Sequence, residues 1–421
     1  MTDEDLPPGP LAGVRVLDLS TWSPVRFGTT VLADLGADVV QIDRPTSAFR
    51  ESIPLLTSTE HPRWLWHSRN KRSLGLDLRK PGARAVLLRL VEDADVVIEG
   101  FAVGVAARLG LDYASLTKVK PDLIYASVTG FGQTGPNAAI SGHEMNYQAL
   151  SGVTAAMAAA RGGTPAILPF PLSDSVASLY AVIGVLAAVH RRSNTGEGAC
   201  LDISIQDSVF SLFGYPAQYF WQQGINPEEI EELGASPTSA PYATSDGKAV
   251  VLGAVEPWVW ERFCVHVQRP DLVQAVTDPS ERDRVRRELA KIFVGRSRAE
   301  WLEASAEQDL ALSAVLTLQD LLTDPHLEHR GMIPEVEHPT LGPVKQVATP
   351  INLDGSVPAA RWFEVPGAHT ADLLLEAGFD AAMQDELFAA GAVFSADQPD
   401  PSGVEGGERR EPGSAFGRSE G

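Results

Sequence analysis

The opening of the chain constrains its fold most. Val14-Arg-Val-Leu-Asp-Leu19 is a short strand-like run, Phe27 to Leu35 is a longer run of small and apolar residues, and Gly36-Ala-Asp-Val-Val-Gln-Ile42 is strand-like again. Strand, helix and strand in immediate succession predict a β-α-β unit, and so a parallel sheet covered by helices. The turn after the first strand, Ser20-Thr-Trp-Ser-Pro24, contains no G-x-G-x-x-G. The dinucleotide fingerprint is absent, which argues against a nicotinamide enzyme.

The alternation continues with a strand at Leu74-Gly-Leu-Asp-Leu78, a helix from Pro81 to Ala94 and a strand at Asp95-Val-Val-Ile-Glu99. A short helix from Gly104 to Leu109 and a strand at Leu123-Ile-Tyr-Ala-Ser-Val128 follow. In such a sheet the ligand crevice lies outside the carboxyl ends of the strands. Arg44, Lys71, Arg72 and Arg108 are expected at those ends or in the segments after them. Singly, each is an ordinary solvated rim charge. Together they suggest a phosphate-bearing ligand. The formal net charge of −21 argues against sequence-independent nucleic-acid binding, and an anionic ligand would need a local basic pocket within that field.

The last of these strands feeds a glycine-rich turn, Thr129-Gly-Phe-Gly-Gln-Thr-Gly-Pro136, and then Ser141-Gly-His-Glu-Met-Asn-Tyr147. Ser175 to His190 reads as a helix, with Ser173 or Asp174 as its N-cap and Ser193-Asn-Thr-Gly196 as its stop. A carboxylate at a helix start is held ionised by backbone N–H groups and the macrodipole, and a histidine exchanges its proton near neutral pH. His143 and Asp174 are therefore candidates for two acid/base groups facing one substrate carbon. Taken alone, such an aspartate is more often only a cap and such a histidine more often structural.

Ala199 to Ile205 is a further strand, which makes residues 1–205 the first part of a large domain. Residues 206–240 turn aromatic, then acidic, then turn-rich, as a linker does. Residues 241–330 suggest a smaller α+β domain, opening on a hairpin from Tyr242 to Leu252 that turns at Asp246-Gly247. Residues 331–396 are expected to return to the large domain. Residues 397–421 are too polar to bury surface and are expected to be disordered. The two cysteines, Cys200 and Cys264, make neither a disulfide framework nor a metal-binding spacing, so no metal is expected. The amino terminus lacks a basic start and an apolar core, and no window combines transmembrane length with freedom from charge and glycine. A cytoplasmic protein without a membrane partner is expected.

These pieces resemble the family III CoA-transferases, the group that includes formyl-CoA transferase, carnitine CoA-transferase and 2-methylacyl-CoA racemase. The resemblance rests on Gly36-Ala-Asp-Val-Val-Gln-Ile-Asp-Arg-Pro45, Asn70-Lys-Arg-Ser-Leu74, Ala126-Ser-Val-Thr-Gly-Phe-Gly-Gln-Thr-Gly-Pro136 and Thr195-Gly-Glu-Gly198. It continues through Asp324-Pro-His-Leu-Glu-His-Arg-Gly-Met332, His338-Pro-Thr-Leu-Gly-Pro343 and Pro366-Gly-Ala-His-Thr370. It implies a Rossmann-like large domain built from both ends of the chain, a small domain between them, and an interlocked homodimer. The implied ligand is an acyl-CoA, with no cofactor beyond its CoA moiety. Arg44, Asn70, Lys71, Arg72, Arg108, Gly142 and Tyr147 would bind the CoA.

Within the family, transferases use the aspartate at the position of Asp174 as a nucleophile. Racemases add a histidine and a glutamate. Here Gly142-His-Glu-Met-Asn-Tyr147 and Gly253-Ala-Val-Glu-Pro257 supply His143 and Glu256. The resemblance leans towards an α-methylacyl-CoA racemase, with a CoA-transferase and a non-catalytic CoA-binding protein as alternatives. His143 and Asp174 would exchange acid and base roles, Glu256 would orient His143, and backbone N–H groups at the start of the Asp174 helix would receive the enolate oxygen. The chain departs from the racemase pattern at Asp174-Ser-Val-Ala-Ser178, where glycines are usual, at Ala102-Val103, where the family commonly has Arg-Pro, and at Glu144, where aspartate is common.

Overall fold

The computed structural model describes residues 9–396 apart from 22, 46–61, 161–162, 231–232, 234–235, 339–340, 354–361 and 363–364. The tail expected at 397–421 lies outside the described residues.

The predicted alternation forms an α/β fold. Its strands are β1 (Arg15–Asp18), β2 (Asp38–Asp43), β3 (Arg72–Leu76), β4 (Val96–Glu99), β5 (Ile124–Thr129) and β6 (Ala199–Ser204). They form one sheet in the order β3-β2-β1-β4-β5-β6, and every neighbouring pair is parallel. The direction of build-up reverses at β1 and β4. That strand order belongs to doubly wound folds, which open a crevice at the reversal. Near the carboxyl end of the chain, a two-residue strand at Val393–Phe394 adds antiparallel to β3.

Helices cover both faces because both faces are apolar. On one, α1 (Ser23–Asp34) packs with a long helix before β6, against Val16, Val39, Ile98, Ile124 and Ala126. On the other, α2 (Ala83–Glu92) and the later helix at Thr370–Glu376 pack against Leu17, Val40, Leu74 and Val97. The segment after β4 contributes α3 (Val105–Leu109), and the segment after β5 contributes α4 (Glu144–Leu150). The long helix before β6 is α5 (Leu172–Thr195). It buries a stripe of small residues, Ser173, Ala177, Ser178, Ala181, Val182, Val185 and Ala188. Small residues let it approach α1 closely: a Cβ on Gly28 would lie 2.8 Å from the Ser178 carbonyl oxygen. Ser178, one of the residues replacing the usual glycines, donates its hydroxyl to the Pro24 carbonyl at 2.6 Å. By length and composition α5 could cross a membrane. Here it lies against α1 and the sheet.

The stretch expected as a linker is largely helical, with α6 (Ile205–Ser211) and α7 (Gly214–Gln223). Ser204 caps α6 by accepting the Asp207 N–H. Beyond it, β7 (Ser239–Ala243) and β8 (Ala249–Gly253) form the expected hairpin, and β9 (Leu312–Ala314) completes a three-stranded antiparallel sheet. Its core is aromatic. Tyr242 stacks on Phe293 at 4.7 Å, and Trp301 lies 4.9 Å from Phe293 and donates its indole N–H to the Phe293 carbonyl.

Candidate active site

Parallel strands place every strand's carboxyl end, and the start of every crossover helix, along one edge of the sheet. Along that edge lie Arg79 after β3, Arg44 after β2, Ser20 after β1, Arg108 on α3 after β4, and His143 after β5. Asp174 joins them because α5 is the crossover helix into β6. Cations therefore occupy one stretch of the edge, and the histidine and aspartate occupy another. Neighbouring strands are about 4.8 Å apart, so β2 and β5 are separated by roughly 14 Å.

His143 is the N-cap of α4. Its backbone N–H donates to Asn146 Oδ1 at 2.9 Å, and its carbonyl accepts the Asn146 and Tyr147 N–H groups. Its imidazole is exposed, at the capping-box position facing the Asn146 backbone N–H. Tyr147 lies beneath this turn, 5% exposed, and donates its hydroxyl to the Gly142 carbonyl at 2.8 Å. Phe131 meets its ring edge-on. A Cβ on Gly142 would sit 2.7 Å from that ring, and one on Gly130 would sit 2.6 Å from its hydroxyl. Both glycines make room for the tyrosine. Tyr147 and Gly142, expected to contact CoA, shape the turn that carries His143.

Asp174 does not cap its helix, and neither does Ser173. The helix starts a turn earlier, with Pro171 as N-cap. The first-turn N–H groups, left without intrahelical partners in any helix, are already taken. Leu172 donates to the Phe170 carbonyl. Ser173 donates to Glu144 Oε1 at 2.9 Å, and Asp174 donates to Glu144 Oε2 at 3.0 Å. These donors are occupied by a carboxylate, so the expectation that they receive an enolate oxygen is corrected. Burial, followed by the charges of Asp174 and Glu144, pushes the Tyr147 hydroxyl up to about 12.

Glu256 is the exposed N-cap of α8 (Pro257–His266). No hydrogen bond or ion pair connects it to His143 among the described residues. Beside it, a cavity of about 420 Å³ is lined by Tyr219, Ile225, Glu229, Ile230, Thr238 and Val255.

The basic residues divide. Arg44 is exposed at the carboxyl edge. Desolvation, followed by the charge of Arg79, lowers its pKa. Arg79 is itself fixed by a two-pronged contact to Asp77, at 2.9 and 2.8 Å. Arg108 is exposed and folds back over Gly104. The segment 69–72 behaves differently, because it leads into β3 and so lies at the opposite, amino edge. Arg69 is buried against Asp34 at 2.7 Å, and Asn70 donates to the same carboxylate at 2.8 Å. Lys71 is buried beneath α1, donating to Thr29 at 2.8 Å and to the Arg26 carbonyl at 2.9 Å. Burial brings its pKa down to about 8, against the pull of Asp18. Arg72 pairs with Asp38 and Glu376. Partial burial opposes ionisation of Asp38, yet the hydrogen bonds from Arg72 and Arg15 prevail and hold its carboxyl below the usual range. Asn70, Lys71 and Arg72 thus hold the fold together at the amino edge, and their expected place at the ligand edge is corrected.

Residues 11–370 match CoA-transferase family III. The chain belongs to that family. It is an enzyme of CoA-thioester chemistry. It is 31% identical over 377 residues to human alpha-methylacyl-CoA racemase, covering 88% of this chain and 94% of that one. It is 32% identical over 394 residues to succinyl-CoA:mesaconate CoA-transferase of Haloarcula hispanica, covering 88% and 97%. Its structure is similar to that of a CAIB/BAIF family protein from Brucella suis, with a TM-score of 0.74, 26% identity, and coverage of 88% of this chain and 100% of that one.

Two further residues stand at this candidate site without having been expected there. Arg79 was legible, since it follows a strand as Arg44 does. The role of Glu144 was not, because its partners lie about thirty positions away and are backbone atoms.

Proposed function

We propose that this family III enzyme racemises or epimerises a 2-methylacyl-CoA. The observation that carries the reading is the placement of His143 and Asp174 at one edge of the sheet, on the turns that open α4 and α5. A transferase needs the aspartate; a second proton-transfer group on an exposed imidazole beside it suits a reaction that works from two faces. One group takes the proton from the carbon next to the thioester carbonyl. The C–H electron pair moves into the enolate, and the other group returns a proton to the opposite face. The two exchange roles with substrate handedness. CoA lies along the edge, its phosphates towards Arg44, Arg79 and Arg108 and its thioester towards His143 and Asp174.

In this reading the active unit is a homodimer. Ile183, Phe210, Tyr215, Phe220 and Trp221, all at least half exposed, give α5, α6 and α7 an apolar surface of the kind that marks an association site. The partner subunit's Glu256 would approach His143 and orient its imidazole; among the described residues no carboxylate of the same chain bonds to that ring. A second reading, CoA transfer between carboxylic acids with Asp174 as nucleophile, is favoured by the similarity to the Haloarcula enzyme.

The test is one enantiomer of a 2-methylacyl-CoA in D2O, with and without a free carboxylic acid. The expected result is deuterium at the α-carbon and loss of optical purity without acceptor. His143→Ala and Asp174→Ala should each slow exchange about 10²–10⁴-fold. Acceptor-dependent CoA transfer, a hydroxylamine-trapped adduct at Asp174 and a nearly silent His143→Ala would replace this reading with the second.

A further inference from the structure

We infer that Glu144 is a positioning residue for Asp174, setting both its place and its basicity through the backbone of α5. The assignment rests on Asp174 being the reacting carboxylate, as base or as nucleophile.

The geometry is specific. Glu144 is the first residue of α4, next to His143. Its two carboxylate oxygens separately accept the backbone N–H groups of Ser173 and Asp174, at 2.9 and 3.0 Å. The carboxylate is itself held in place. Gln148, one turn along α4 and fully buried, donates to Glu144 Oε1 at 2.7 Å, while its own Oε1 accepts the Leu168 N–H at 2.9 Å. A continuous set of contacts therefore runs from Leu168 through Gln148 and Glu144 to the peptide of Asp174. It fixes the start of α5 relative to the turn that carries His143, and so the spacing of the two proposed reacting groups.

The charge matters as well as the geometry. An aspartate in the first turn of a helix is ordinarily made a weaker base by the N–H groups and the macrodipole. Here a second carboxylate occupies those N–H groups and opposes the dipole with a full negative charge. Asp174 is therefore more basic than its place in the helix alone would make it. Among the described residues, α4 brings Glu144, Tyr147 and His143 to the start of α5. The ionisable groups of α1, Arg26 and Asp34, are closed into pairs with Asp43 and Arg69. α6, which packs against α5, carries Asp207.

The test compares Glu144→Gln, Glu144→Asp and Glu144→Ala by pH–rate profile, using α-proton exchange or CoA transfer, whichever the parent catalyses. Glutamine keeps the size but loses the charge and one acceptor. Its acid limb in kcat/KM should move about one pH unit lower, because the helix start then stabilises the Asp174 anion unopposed. Its plateau rate should fall about tenfold, with KM for the acyl-CoA little changed. Aspartate keeps the charge and should return the limb to the parent position even if the rate is only partly restored. If the alanine variant does not fold, the other two decide. An unmoved limb in Glu144→Gln, or glutamine and aspartate variants with the same limb, overturns the inference. Failure of the racemase reading would show instead in the parent, as absent α-exchange.

Discussion

Asp34 offers the most direct test of whether the Arg69-to-Arg72 segment serves the fold or the ligand. Its carboxylate is 1% exposed and accepts from Arg69 at 3.1 and 2.7 Å, from Asn70 at 2.8 Å and from Thr349 at 2.6 Å. Thr349 is 315 positions away in sequence, so this one carboxylate ties the end of α1 to the segment before β3 and to the late part of the chain. Asp34→Ala would leave the Arg69 guanidinium buried with Gln346 as its remaining side-chain acceptor among the described residues. Removing one partner of a buried pair costs about 3–5 kcal/mol, and the stranded Asn70 and Thr349 groups add to that. We expect a loss of about 4 kcal/mol or more. Asp38 is the control. It also holds two arginines, Arg15 and Arg72, but its side chain is 35% exposed. Solvent screening limits such contacts, and Asp38→Ala should cost about 1 kcal/mol. The assay is urea unfolding followed by tryptophan fluorescence at one fixed protein concentration, since association would shift the midpoint. CoA binding by calorimetry on the native fraction should match the parent in both variants. Equal midpoint losses for the two variants would refute the burial argument. A parent-like midpoint for Asp34→Ala together with lost CoA binding would return the segment to the ligand site.

The cations should separate by edge: Arg44→Ala and Arg79→Ala should each weaken CoA binding, more so at low salt, while Arg72→Ala should not, and the reverse order in calorimetry would refute the assignment. Lys71 carries a pH signature, because its pKa falls from 10.5 in the unfolded chain to about 8 in the folded one. The unfolded chain therefore holds this proton more tightly between those values. The stability linked to it is fully present above pH 10.5 and lost as pH falls through 8, a swing of about 3 kcal/mol. The urea midpoint of the parent relative to Lys71→Met should thus rise from pH 8 to pH 10, and a flat difference would place Lys71 in solvent.

The local pattern of residues determined the elements. Apolar runs bounded by Gly, Pro and Asp predicted β1, β2, β4, β5, β6 and the hairpin of β7 and β8 to within a few residues, because strand and turn preferences act over a handful of neighbours. The same pattern brought His143 and Asp174 forward, since a turn after a strand and the start of a crossover helix must share an edge in a parallel sheet. Which edge the Arg69-to-Arg72 segment occupies depended on where β3 begins. The segment follows β2 and precedes β3 in sequence, so its local pattern fits either edge; in the structure it leads directly into β3, which begins at Arg72, and its charges lie at the amino end. Whether each is then buried depended on Asp34, Thr29 and Asp38, partners that only chain folding brings within reach. Glu144 shows the limit most plainly. One position from a recognisable histidine, it is an ordinary first-turn glutamate by sequence. Its contacts are to two peptide N–H groups on another helix, and backbone donors have no side-chain identity that a sequence can display. Only the packing of α4 against α5 decided that its carboxylate meets the backbone of Asp174.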